Sequence, residues 1–98
     1  SDLFHPDCNF VCPEENKTTI PIDRIRSLKS FFELTSHQGK GKVAIIRPAE
    51  SMTYSAANSL LKILEEPPDE TLLILITESI QKLPETVVSR MQIHNIRK

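Results

Sequence analysis

The sequence predicts an α/β fold, a parallel sheet in a three-layer α/β/α arrangement. Two observations carry this. The apolar runs Val43-Ala44-Ile45-Ile46 and Leu72-Leu73-Ile74-Leu75-Ile76 have no polar break, as strands covered on both faces do. Around them the hydrophobic period changes to that of helices, so strand and helix alternate along the chain. Parallel neighbours need right-handed crossover connections, and the helical segments supply them, with helices expected on both faces.

The stretch from Ser1 to Lys17 is polar, contains Pro6 and Pro13, and holds one short apolar segment, Asn9 to Cys12, that fits a strand. Thr18 to Pro21 reads as a loop. From Ile22 the residues Ile22, Ile25, Leu28 and Phe32 form one helical stripe with Phe31 beside it, predicting a helix to about Thr35. Asp23 lies in its first turn, where negative charge suits the helix dipole. Ser36 to Gly41 is a polar loop containing both glycines, Gly39 and Gly41. Lys42 to Ile46 is a strand that stops at Pro48, which cannot donate to a ladder. Thr53 is a candidate N-cap for a second helix, because its hydroxyl can accept a free backbone N–H. Ala57, Leu60, Leu61 and Leu64 supply that helix's apolar face, and Pro67-Pro68 ends it. Thr71 to Thr77 is the strongest strand signal and predicts a central, buried strand. Ser79 to Ser89 reads as a loop and short helix interrupted by Pro84. Gln92 to Ile96 alternates apolar and polar residues, predicting a last, more exposed strand.

Composition bounds the function. The 98 residues fit one small domain, with 39% hydrophobic and 26% charged residues, too apolar for a disordered chain. The formal net charge of -1 argues against strong nonspecific binding to nucleic acid, which needs excess positive charge facing the phosphates, although a local basic patch stays open. No apolar run reaches about 18 residues, so no membrane span is expected. Ser1 to Asn9 lacks the apolar core of a signal peptide. Cys8 and Cys12 alone make no disulfide framework, which suits a reduced, cytoplasmic setting. No Gly-rich phosphate loop is present.

Three stretches carry a resemblance. They are Lys42-Val43-Ala44-Ile45-Ile46-Arg47-Pro48-Ala49-Glu50-Ser51-Met52-Thr53, then Ala56-Ala57-Asn58-Ser59-Leu60-Leu61-Lys62-Ile63-Leu64-Glu65-Glu66-Pro67-Pro68, then Leu83-Pro84-Glu85-Thr86-Val87-Val88-Ser89-Arg90. In this order and spacing they resemble the AAA+ clamp-loader family of bacterial DNA polymerase III. The middle stretch matches that family's A-x-N-x-L-L-K-x-L-E-E-P-P signature almost residue for residue. His5-Pro6-Asp7 and Ile22-Asp23-x-Ile25-Arg26 are similar to the stretch that follows the family's zinc module. The resemblance implies a partial AAA+ P-loop NTPase core over residues 1–98, lying after the P-loop and zinc module and before the lid. It also implies that the family's P-loop strand, normally between the last strand and the Thr71–Thr77 strand, is missing. The last strand is then expected to shift, fray or pair with another chain.

The gamma/tau motor subunits of this family end the matching strand in adjacent Asp and Glu, which hold Mg²⁺ and orient water. Here those positions are Arg47 and Pro48. A guanidinium repels the metal and proline offers no base, so the resemblance favours the non-hydrolysing delta-prime branch. As an ordinary strand end, Arg47-Pro48 carries the same expectation of no catalysis. Ser89-Arg90-Met91 stands where the family has Ser-Arg-Cys, whose arginine faces a neighbouring subunit's ATP. Arg90 is therefore the candidate arginine finger acting in trans, against the plainer reading of a surface arginine. Thr77 stands at the family's sensor position, or simply satisfies a loop backbone group. Lys62 is a DNA-facing candidate on the family's inward helix, or a solvated lysine beside Glu65 or Glu66.

Other clusters have plainer readings. His5, Cys8 and Cys12 are spaced H-x2-C-x3-C, three ligands where a closed zinc site needs four, so no metal is expected. Glu65 and Glu66 read as a helix end rather than a catalytic carboxylate pair. Arg24, Arg26 and Lys29, with Lys40 and Lys42 nearby, form a basic face that is solvated or meets another subunit.

The resemblance implies a stationary clamp-loader subunit with no activity and no cofactor in this segment. Its implied partners are delta and gamma/tau subunits, and indirectly the sliding clamp and primed DNA, with no membrane. The parent complex would belong to a DNA-directed DNA polymerase, a nucleotidyltransferase. A divergent gamma/tau-like motor subunit that binds ATP, or a free-standing interaction domain, are the alternatives.

Overall fold

The computed structural model describes residues 8–34 and 41–96. The first strand, β1 (Cys8–Val11), is one residue earlier than the apolar pattern places it. Helix α1 (Ile22–Glu33) follows, with Ile25, Leu28 and Phe32 buried on the predicted stripe and Ile22 only half-buried at its start. Then come β2 (Lys42–Ile46), a short 3-10 turn at Ala49–Ser51, and α2 (Tyr54–Glu65). Thr53 caps α2 as predicted, its Oγ1 accepting the Ala56 N–H at 3.1 Å. β3 (Thr71–Leu75), a second 3-10 turn at Ile80–Lys82, and the short α3 (Glu85–Val88) behind Pro84 complete the order.

The strands form one parallel sheet in the order β1-β2-β3. Register aligns Val11 with Ile46 and Leu75, and Phe10 with Ile45 and Ile74. Side chains therefore divide by parity. Val11, Ala44, Ile46, Leu73 and Leu75 face the helices and join a core built with Ile20, Ile25, Leu28, Phe32, Ala56, Leu60, Ile63 and Val87. On α2, Ala56 and Ile63 are buried where Leu61 and Leu64 were expected, and those two leucines pack at the core's margin.

The parallel α/β class is as the sequence predicts; three particulars differ. First, β3 is an edge strand among the described residues, not a central one, with Leu72, Ile74 and Ile76 at 55%, 37% and 41% exposure. Second, the helices share one core against one sheet face. The cause is topological: successive right-handed crossovers that move in one direction place every connecting helix on the same side. Covering the other side requires a reversal of strand order, which these residues do not contain. Third, Gln92–Ile96, predicted as a last strand, forms no strand and is exposed: its alternating residues find no strand to pair with among the described residues.

Two backbone features fix the ends of the sheet. At its start, Gly41 has φ +89°, and a Cβ there would lie 2.5 Å from the Glu70 carbonyl oxygen, so only glycine fits where β2 and β3 begin together. The Lys42 N–H then donates to that carbonyl at 2.9 Å. At the other end, Ala49 N–H donates to Ile76 O at 2.8 Å and Arg47 N–H to Val11 O at 3.0 Å, tying the three strand exits together.

Lys42 corrects an expectation. It does not belong to an exposed basic face: it is buried, and its Nζ donates to the carbonyls of Phe31, at 2.8 Å, and Leu34. It lies 5.1 Å from the Phe31 ring centroid. The parity of β2 explains this, since position 42 shares the inward face with Ala44 and Ile46. Arg24 and Arg26 sit near Glu14 and Asp23, at 3.8 and 3.9 Å. Lys40, His5 and most of the Ser36–Gly41 loop lie outside the described residues.

Candidate functional site

In an open parallel sheet, chemistry gathers at the carboxyl ends of the strands. Here that edge carries Cys12, Arg47, Pro48, Glu50 and Thr77. Arg47 is exposed at the end of β2, with Pro48 half-buried behind it. The chain turns at once into the 3-10 turn, whose Ala49 is buried and whose Glu50 is half-buried.

Thr77 follows β3 and meets Glu50. Its Oγ1 lies 2.5 Å from Glu50 Oε1 and accepts the Ser79 N–H at 3.1 Å. A hydroxyl has one proton, and the carboxylate is its stronger acceptor. The backbone role expected of Thr77 is thus joined by a carboxylate partner that sequence reasoning missed. The Thr77 hydroxyl, above all, holds the Glu50 carboxyl below its ordinary range, with a backbone hydrogen bond and Lys82 assisting and burial opposing. The only sequence signal was a carboxylate four residues past the end of a strand.

Arg90 lies just beyond α3. Its backbone N–H closes a turn on Val87 O at 3.1 Å. Its Nη1 donates to Thr86 O at 2.8 Å, and its Nη2 lies 3.3 Å from Glu65 Oε2 at the end of α2. The Glu65 and Arg90 side chains are 54% and 39% exposed. Glu65 thus faces a guanidinium across the α2–α3 junction, a partnership its helix-ending position did not announce. Lys62 is exposed and lines a shallow groove with Ile22, Arg26, Ser55, Asn58 and Ser59, which brings two basic side chains and several small polar ones to one place.

Cys8 is half-buried and Cys12 exposed. Among the described residues no group of three or more His, Cys, Asp and Glu side chains is arranged to hold a metal. No helix of the described residues is long and apolar enough to cross a membrane.

A family model described as DNA polymerase III, delta subunit, matches residues 1–98. DNA polymerase III subunit delta' of Pseudomonas aeruginosa is 43% identical over 86 residues, 88% of this chain and 26% of the relative. The Bacillus subtilis protein of the same name is 43% identical over 88 residues, 90% of this chain and 26% of the relative. This chain therefore spans about a quarter of the length of these relatives. Among solved structures, a DNA polymerase III gamma subunit-related protein of Thermotoga maritima shares the fold, with a TM-score of 0.83 and 35% identity over 95% of this chain and 31% of that one. With a family match over its whole length and relatives this similar, the chain belongs to the DNA polymerase III delta-subunit family.

Proposed function

We propose that this chain is part of a non-hydrolysing, delta-prime-type subunit of a clamp loader. In this reading the subunit supports loading of a sliding clamp onto primed DNA during replication, in the cytoplasm, within a DNA polymerase III holoenzyme. The observation that carries the reading is the end of β2. A motor subunit needs adjacent carboxylates there for Mg²⁺ and water, and this strand exits through an exposed guanidinium and a proline ring. The curated relatives named subunit delta' support it over the motor alternative.

The subunit's contribution to hydrolysis is then made outward. Arg90 is exposed at the end of α3 and acts on ATP held by a neighbouring gamma/tau subunit, where a planar, permanently charged donor stabilises the transferring phosphoryl group. Delta is the other protein partner, and the Arg26–Lys62 groove is the surface offered to the DNA backbone. Thr77, engaged with Glu50, acts within the strand edge rather than on a nucleotide.

The test is ATP hydrolysis by the full-length protein alone and with motor subunits. The reading predicts no Mg²⁺-dependent turnover alone and a stable complex with gamma/tau. Turnover by the protein alone would favour the motor alternative. Failure to associate with any polymerase subunit would favour a free-standing domain.

A further inference from the structure

Arg90 is not a free surface arginine. Two of its contacts are fixed, one to a main-chain carbonyl of α3, the helix just before it, and one to the last residue of α2. A guanidinium carries five N–H donors in one plane. These two contacts engage two of them, leaving three to reach outward from a side chain that is 39% exposed. An unheld arginine has many rotamers and loses that freedom when it meets a phosphate. A held one arrives already aimed, which is the condition for a group that stabilises developing charge.

Glu65 occupies a position that helix physics does not favour. It is the last residue of α2, at the negative end of the helix dipole, where a carboxylate is disfavoured and a cation such as Lys62 is favoured. It is not explained as a staple between α2 and α3 either, since an ion pair this exposed adds little stability. Its geometry is explained by Arg90, whose Nη2 it meets while Thr86 O holds Nη1.

We propose that Glu65 is a positioning residue for Arg90, fixing the plane of the guanidinium so that its remaining donors point at phosphate bound by a neighbouring subunit. This rests on the reading of Arg90 as a donor acting in trans. Glu65 itself touches neither nucleotide nor metal, and no proton moves.

The experiment uses the full-length protein in a reconstituted loader whose other motor sites are disabled in their phosphate loops, with clamp, primed DNA and ATP. Steady-state hydrolysis is measured for the unmodified protein, Glu65→Gln, Glu65→Asp, Arg90→Ala and the double variant Glu65→Gln/Arg90→Ala. The expected result is a kcat about 10-fold lower for Glu65→Gln with KM little changed, within the range that misplacing a catalytic group by about 1 Å produces. Partial recovery is expected in Glu65→Asp, and the double variant should be no slower than Arg90→Ala. The unfolding midpoint of Glu65→Gln should match that of the unmodified protein. If Arg90→Ala slows hydrolysis while Glu65→Gln does not, or Glu65→Gln speeds it, the positioning role is overturned and the trans role of Arg90 stands. Losses that multiply in the double variant also overturn it, because Glu65 would then act independently. If Arg90→Ala changes nothing, both readings fall.

Discussion

Lys42 is the first residue of β2, yet its charge serves the far end of α1. That helix has no basic residue in its last turn, and its final carbonyls point towards the buried Lys42 ammonium. Lys42→Met keeps the length and apolar stem of the side chain and removes the donor. The Phe31 carbonyl keeps the Leu34 N–H as a partner, at 3.3 Å, whereas Leu34 O has no second partner among the described residues, so the substitution strips Leu34 O more completely. Hydrogen bonds from a charged group contribute about 1.5–3 kcal/mol net, and the exposure of Leu34, at 66%, lets water replace part of the loss. The expected cost is therefore at the lower end, about 1.5 kcal/mol. For a domain of this size that is a fall of about 6–12 °C in the unfolding midpoint. Urea unfolding of the two proteins side by side measures it, with Lys29→Met on the exposed side of α1 as the control. A Lys42→Met protein as stable as the unmodified one, or more stable, would refute the argument. It would mean that the cost of burying the ammonium outweighs the cap it provides.

Two further predictions follow from local geometry. Thr53→Ala removes the Oγ1 that accepts the Ala56 N–H, and should lower stability by about 1 kcal/mol, read in the same unfolding assay. Thr77→Val removes the main hydrogen bond that depresses the Glu50 pKa, so the Glu50 titration followed by NMR should move up towards the ordinary carboxylate range. Because the folded value lies below the unfolded one, the stability Glu50 contributes is present above the ordinary range and is lost as pH falls through the folded value. Thr77→Val should flatten that acid-side loss.

The elements whose signals are local were legible. The stripe Ile25, Leu28 and Phe32 gave α1, Thr53 and Pro67-Pro68 bounded α2, and the two unbroken apolar runs gave β2 and β3. What the residues could not show was non-local. The run Leu72–Ile76 is apolar on both faces whether or not both are covered, so sequence alone did not reveal that, among the described residues, β3 lies at an edge with Leu72 and Ile74 open. Lys42 looked solvated because its burial follows from strand parity and from where α1 ends, neither of which is written at position 42. Arg90 and Thr77 stood out through resemblance. Their partners Glu65 and Glu50 did not, because they are 25 and 27 residues away in sequence and meet only when the chain folds.

On the proposed function, the full-length subunit lacks hydrolysis of its own and contributes Arg90 to a neighbour's ATP. The most direct measurement is single-turnover ATP hydrolysis at that neighbouring site, in a loader assembled with full-length Arg90→Ala protein. Unchanged assembly and ATP binding are expected, with hydrolysis slowed by roughly 10³-fold, the scale of a lost arginine finger. Hydrolysis at the unmodified rate, in a loader that assembles and binds ATP normally, would contradict it and leave Arg90 a surface residue paired with Glu65.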